Sequence, residues 1–157
     1  MKSSQILHCC LISFGNGQAV LPHSSLVESL PFATPLRMEN APPWVAGAML
    51  WGVRTTPLVN LDALLNGTNY DSGAHSRIIV INSVGNNPKL RNFGILGTAA
   101  PRTIDLTHGD VTLDETVRSS RPDGVLTHVR VNGESAIIPN MSFIEQALGA
   151  LIRRVAS

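Results

Sequence analysis

The apolar residues of this chain occur in short runs that glycine, proline and polar turns interrupt. This pattern is typical of β-strands joined by tight turns. The clearest alternation of apolar and polar positions spans residues 125–131, and the Asn132-Gly133 pair that follows is a strong hairpin signal. Residues 15–17 predict another hairpin turn, and the apolar run 77–84 predicts a buried strand. The pattern therefore predicts a mainly β fold.

Residues 41–65 form the most informative stretch of the sequence. Pro42 and Pro43 exclude a helix at its start, and residues 45–59 are rich in apolar and β-branched side chains with two interspersed glycines. This segment predicts two strands joined by a tight bend or bulge. Asn60 and the leucine-rich residues 61–65 then predict a capped short helix. The stretch contains no obvious catalytic group.

A similar order of elements returns near the end of the chain. Residues 57–64 and 137–144 both run from an apolar strand through an asparagine into the start of an apolar helix. The second helix continues with helical spacing through Ile152. The sequence leaves two alternatives for the helix caps, which are either the asparagine pair Asn60 and Asn140 or the pair Asp62 and Ser142.

The beginning of each half is also alike, because residues 78–96 follow the order of residues 6–21. This similarity predicts two related β units that pack on one core, with chance likeness as the alternative. Residues 66–76 are polar and contain two glycines, so they are the candidate boundary between two halves of a single domain, 1–157. Residues 107–123 are polar and predict a long loop with little regular structure.

Composition narrows the class of protein. The 157 residues are 43% hydrophobic and 15% charged, which is enough to bury a core in one domain. The net charge of +1 and the aromatic content of 4% disfavour a nucleic-acid-binding barrel, which needs clustered positive charge and stacking platforms. The chain has two cysteines, the adjacent Cys9 and Cys10, so no disulfide framework is predicted. We expect a cytoplasmic protein, since residues 6–14 are too short for a membrane span.

The candidate chemistry in the sequence is sparse. Adjacent residues on a strand face opposite ways, so His8, Cys9 and Cys10 cannot converge on one ion, and no metal or cofactor is expected. Residues 71–73 match the Asp-Ser-Gly of aspartic proteases, and Gly94–Gly97 resembles their flap-supporting strand. A small retropepsin-like protease using Asp71 is therefore the alternative function. The residues before Asp71 do not form the buried strand that this chemistry requires, so a surface turn is favoured.

The sequence resembles the CheW family, the coupling adaptors of bacterial chemosensory arrays, over nearly its whole length. The matching positions are densest between residues 42 and 65, where they are Pro42, Trp44, Val45, Gly47, Pro57, Leu58, Val59 and Leu61. The resemblance implies two intertwined five-stranded SH3-like β-barrels around a shared core, with short helices that include a C-terminal one. It implies a non-enzymatic role, which is to join the cytoplasmic tip of a methyl-accepting chemoreceptor to the regulatory domain of a CheA-type histidine kinase.

The chain departs from the family at the hairpin. Where the family has Asn-Leu-Arg-Gly, residues 50–53 are Leu-Trp-Gly-Val, so the family's arginine falls on Gly52 and Arg54 lies two positions further on. This difference predicts an auxiliary adaptor, of flagellar chemotaxis or of a system that controls type IV pili and twitching motility. The resemblance implies partner-binding residues around this point, and they are Ala46, Gly47, Leu50, Trp51, Gly52 and Arg54.

Gly47 and the two tryptophans also have an interpretation from the residues alone. Gly47 fits a backbone bulge as well as a partner contact. For Trp44 a core position is favoured, since aromatic side chains dominate cores, whereas Trp51 adjoins the bend and fits either a core or an exposed anchor.

Overall fold

The structure, a computed structural model, describes residues 5–15, 17–66, 76–114 and 124–156. Within these ranges the chain forms eleven strands and two α-helices. The strands are β1 (Leu7–Phe14), β2 (Gly17–Pro22), β3 (Leu26–Pro31), β4 (Val45–Trp51), β5 (Arg54–Val59), β6 (Arg77–Asn82), β7 (Asn92–Gly97), β8 (Arg102–Leu106), β9 (Val111–Leu113), β10 (Val125–Val131) and β11 (Glu134–Pro139). The helices are α1 (Leu61–Asn66) and α2 (Met141–Ala156). The predicted mainly β fold is confirmed.

The strands form one six-stranded and one five-stranded sheet. Their orders are β8-β1-β2-β11-β10-β9 and β3-β6-β7-β5-β4. The prediction gave each unit five strands, and the additional one is β9, three residues that pair with β10. The equivalent edge of the five-stranded sheet carries a single antiparallel bridge between Leu36 and Ala48. The two sheets thus have the same plan and differ at one edge.

The two sheets exchange hairpins between the two halves of the sequence. The hairpin β1–β2 comes from the first half and pairs in parallel with β11 of the second, where Ala19 lies opposite Ile137. The hairpin β6–β7 comes from the second half and pairs in parallel with β5 of the first, where Gly94 lies opposite Leu58. Each sheet therefore combines a hairpin from one half with strands from the other.

The predicted boundary at residues 66–76 lies for the most part outside the described residues. It separates the two sequence halves, since β1–β5 and α1 precede it and β6–β11 and α2 follow it. The chain passes from one sheet to the other at different places, between β2 and β3 and between β7 and β8. The boundary between the halves and the boundary between the sheets are therefore distinct.

Asparagines cap both helices, which decides between the alternatives that the sequence left open. The Ala63 N–H donates to Asn60 Oδ1 at 3.2 Å, and the Phe143 N–H donates to Asn140 Oδ1 at 3.1 Å. A side-chain oxygen at this position satisfies a backbone donor that has no partner within the helix. Asp62 instead lies fully buried, and a Cβ on Gly15 would stand 1.2 Å from its Oδ2 atom. The carboxyl of Asp62 thus requires glycine in the β1–β2 turn.

The main core lies between the two sheets and α2. Ile144, Leu148 and Leu151 of the helix join buried side chains from both sheets in one cluster. Trp44 packs against this cluster, and its ring centroid lies 6.3 Å from that of Phe143, as the core interpretation of Trp44 predicted. Cys10 is also in this core, and burial raises the pKa of its thiol.

The predicted loop at residues 107–123 contains regular structure in its described part. Residues His108–Asp110 form a 3-10 turn, and β9 follows directly. The N–H of Thr107 donates to Asp110 Oδ2 at 2.8 Å and its hydroxyl donates to the same oxygen at 2.9 Å. These hydrogen bonds lower the pKa of Asp110, and the one from the Thr107 N–H belongs to a capping box between the two residues. The expectation of little regular structure was therefore wrong for residues 107–114.

Candidate docking site

The hairpin between β4 and β5 turns through Gly52 and Val53. Trp51 lies opposite Arg54 in the register, so the turn has two residues. Gly52 has a φ of +63°, a conformation that glycine adopts without a steric penalty, and a Cβ there would meet nothing within 4 Å. The position at which the family has arginine is therefore the first turn residue of this hairpin.

Apolar side chains are exposed at the end of this hairpin. Val53 is 98% exposed and Leu50 is 69% exposed. Arg54 is also exposed and closes the turn opposite Trp51. Exposed apolar side chains that lie close together are a common feature of protein-interaction surfaces. The sequence did not single out Val53, because its exposure depends on the turn beginning at Gly52.

Trp51 is held in place by an acidic residue from the opposite edge of the sheet. Its indole Nε1 donates to Glu28 Oε2 at 2.9 Å. Glu28 lies in β3 and Trp51 in β4, and these two strands form the two edges of the five-stranded sheet. The hydrogen bond therefore joins the two edges, and the indole ring is partly buried rather than freely projecting.

Two of the predicted partner-binding residues occupy structural positions. Gly47 is buried with a φ of +139°, and a Cβ there would stand 2.3 Å from the carbonyl oxygen of Leu36. The register shifts between Val45 and Gly47, so the bulge interpretation of Gly47 is confirmed. Ala46 packs against a small cluster that includes Leu58 and Ile78. A role of these residues in binding stays a prediction.

A groove runs beside the hairpin. It has a volume of about 490 Å³ and is lined by residues 36–40 together with Ala48 and Thr55. Leu36, on its rim, is 64% exposed. The groove therefore adds a concave surface with an apolar border to the exposed tip formed by Leu50 and Val53.

The structure offers little for catalysis or metal binding in the ranges it describes. No group of three or more His, Cys, Asp or Glu side chains in those ranges is arranged to hold a metal ion. Asp71, the residue of the protease alternative, lies outside them. Neither described helix is both long enough and apolar enough to cross a membrane.

The described residues form two paired sheets, with apolar side chains exposed at the end of the β4–β5 hairpin. A family model for the CheW-like domain matches residues 8–147, so the chain belongs to the CheW-like domain family. Proteins of this family are chemotaxis scaffolds and adaptors, generally without enzymatic activity, and the match does not favour the protease alternative.

The fold is also found among solved structures. The scaffolding protein TtCheW from Thermoanaerobacter tengcongensis matches with a TM-score of 0.68 at 14% sequence identity, over 87% of this chain and 86% of that chain. The prediction of two SH3-like β-barrels is confirmed by this likeness, although one sheet here has six strands. A search of curated proteins found no match.

Proposed function

We propose that this protein couples the cytoplasmic tip of a methyl-accepting chemoreceptor to the regulatory domain of a CheA-type histidine kinase. Membership of the CheW-like family supports an adaptor role. The observation that locates the proposed binding surface is the exposure of Leu50 and Val53 at the end of the β4–β5 hairpin. We further propose that the protein works in the cytoplasm, in flagellar chemotaxis or in the control of type IV pili.

The hairpin has properties that favour partner binding. Burying an exposed leucine or valine side chain contributes about 1.5–3 kcal/mol, so the two residues together supply useful binding free energy. The hydrogen bond from Trp51 to Glu28 fixes the hairpin before a partner arrives. Such preorganisation reduces the conformational entropy that is lost on binding.

Arg54 is the residue of this hairpin that can replace the family's arginine. It is exposed and lies at the base of the turn, opposite Trp51. Gly52 cannot supply charge, and its positive φ suits the turn that brings Arg54 into place. We propose that Arg54 forms the charged contact with a partner while Leu50 and Val53 form the apolar one.

A charge placed on the apolar tip tests this proposal. We expect Val53→Asp to weaken binding to the kinase regulatory domain or to the receptor tip by at least about tenfold, because a buried aspartate without a partner loses its hydration. Isothermal titration calorimetry with each purified fragment provides the measurement.

Val84→Asp is the matched control for that experiment. Val84 is 67% exposed and lies between β6 and β7, away from the β4–β5 hairpin in sequence. We expect it to leave binding unchanged. Equal effects of the two substitutions would contradict a role for the hairpin, and the absence of binding by the wild-type protein to either fragment would contradict the adaptor proposal as a whole.

A further inference from the structure

A second groove, which we name the α2 groove, lies between helix α2 and the loop that joins β6 to β7. It has a volume of about 800 Å³, within the size range of ligand clefts. Residues 84–87 of the loop form one wall. The other wall consists of residues that lie on one face of the helix at spacings of three and four, namely Ser142, Glu145, Gln146, Gly149 and Arg153.

The loop wall of the α2 groove is fixed at both ends. The carboxylate of Glu145 accepts the N–H of Val84 and the N–H of Gly85, each at 2.8 Å. At the other end of the loop, Leu90 is 2% exposed and belongs to the main core. The groove is therefore formed before a ligand arrives, which reduces the entropy that is lost on binding.

Hydrogen-bonding groups line the α2 groove without partners of their own. Within the part of the chain that the structure describes, the side chains of Asn86, Gln146 and Arg153 form no hydrogen bond and no ion pair. Asn87 Oδ1 accepts the N–H of Lys89 at 3.0 Å, and Asn87 Nδ2 lies close to the helix, 3.1 Å from where a Cβ on Gly149 would stand. The groove thus offers side-chain amides along its walls and a guanidinium at one end.

The length of the α2 groove fits an extended peptide. Ser142 and Arg153 lie eleven positions apart on the helix, a distance of about 16 Å. About five residues of extended chain cover that distance. Side-chain amides both donate and accept hydrogen bonds, so they can pair with the free N–H and C=O groups of an extended backbone, whereas an α-helix has already paired its own.

The charges around the α2 groove favour an acidic ligand. Arg153 lines it, and the exposed Lys89 and Arg91 lie on either side of Leu90 in the loop. None of these three cations forms an ion pair in the described ranges. Glu145 is the acidic residue of the described walls, and both of its oxygens already accept hydrogen bonds from the loop. A guanidinium binds a carboxylate through two parallel hydrogen bonds, so Arg153 is the expected contact for an acidic side chain.

We infer that the α2 groove binds an extended, acidic segment of a further protein partner. The backbone of that segment pairs with the amides of Asn86, Asn87 and Gln146, and a carboxylate of the segment binds Arg153. This inference does not rest on the proposed function, because none of these residues belongs to the β4–β5 hairpin.

Selection from random heptapeptides displayed on phage tests the inference on the purified wild-type protein. We expect the enriched sequences to contain aspartate or glutamate. A synthetic peptide with the most enriched sequence should bind Arg153→Gln about tenfold more weakly than the wild-type protein, as the loss of a charge-assisted hydrogen bond predicts. Isothermal titration calorimetry provides the measurement.

Arg37→Gln is the matched control, since it removes the same charge from another exposed arginine that does not line the α2 groove. We expect it to leave the affinity for the peptide unchanged. Circular dichroism and thermal unfolding of both variants verify that they fold. In nuclear magnetic resonance spectra of the wild-type protein, the side-chain amide signals of Asn86, Asn87 and Gln146 should shift when the peptide is added.

Three outcomes would overturn the inference. Selection might enrich no acidic sequence, or the two arginine variants might lose affinity equally, which would show attraction to net charge and no defined site. Shifts confined to residues outside the groove would place the peptide elsewhere. If N-acetylglutamate bound as tightly as the peptide, the groove would be a site for a small carboxylate and not for a protein segment.

Discussion

At the scale of single residues, an asparagine caps a helix at each of two corresponding positions. The side chains of Asn60 and Asn140 each accept a hydrogen bond from the backbone N–H three residues further on. Their own N–H groups donate to the carbonyl oxygens of Trp44 and Gly124, respectively, each at 2.8 Å. Each asparagine therefore both caps a helix and ties its start to the residue that precedes the first strand of the adjoining hairpin. The sequence predicted the two asparagines as candidates but could not exclude Asp62, because its burial against Gly15 depends on a residue 47 positions earlier in the chain.

We expect Asn60→Ala and Asn140→Ala each to lower the free energy of unfolding by about 1 kcal/mol, the usual effect of losing a helix cap. Urea denaturation followed by circular dichroism measures this change. Asn140→Asp is the control, since an aspartate oxygen accepts the same hydrogen bond. If Asn140→Ala were as stable as Asn140→Asp, the capping role would be wrong.

At the scale of elements, local sequence signals were sufficient to predict the hairpins but not the pairing of each hairpin with other strands. Asn132 and Gly133 both have positive φ in the turn between β10 and β11, as that dipeptide predicts. The parallel pairings of β5 with β7 and of β2 with β11 join residues far apart in sequence, and no local pattern encodes them. β9 was missed because three residues are too few to show an alternation.

The two glycines of the docking hairpin illustrate the same limit. Sequence alone could not distinguish Gly47 from Gly52. A Cβ on Gly47 would clash with the backbone of Leu36, eleven residues earlier, whereas a Cβ on Gly52 would meet no atom within 4 Å. The first is required by tertiary packing, and the second by the turn alone. The candidate site could therefore be located from the sequence, whereas the division of its residues into structural and exposed ones could not.

We expect Gly47→Ala to lower the free energy of unfolding by about 3 kcal/mol, since strain at positive φ adds to overpacking against Leu36. Gly52→Ala is the matched variant, with positive φ but no neighbour, and should lower it by about 1 kcal/mol. Chemical denaturation of both variants measures the difference. Equal losses would show that the segment at Leu36 yields to the added methyl group.

At the scale of the whole molecule, one core serves both sheets. The residues of α2 that enter it, Ile144, Leu148 and Leu151, share a cluster with side chains of β1 and β6. This arrangement predicts that neither sheet unfolds by itself. The sequence predicts a single domain with two related units, because its length and composition permit one core.

Leu148→Ala tests this sharing, and we expect it to lower the free energy of unfolding by about 2–5 kcal/mol while the transition remains single. Tryptophan fluorescence and far-ultraviolet circular dichroism should give the same midpoint. Leu113→Ala, at a position that is 67% exposed, is the control and should change stability by about 0.5 kcal/mol or less. Two separated transitions in Leu148→Ala would contradict a common core.

Because the two halves of the sequence exchange hairpins, cutting the chain between them would separate strands that pair with each other. A cut between α1 and β6 leaves each fragment with a hairpin whose pairing strands are on the other fragment. We therefore expect the two fragments to be complementary, so that the sheets form only when both fragments are present, as in a split reporter. The fragment that bears the docking hairpin depends on the other for β6 and β7, which complete its sheet, so reassembly and partner binding would be gained together.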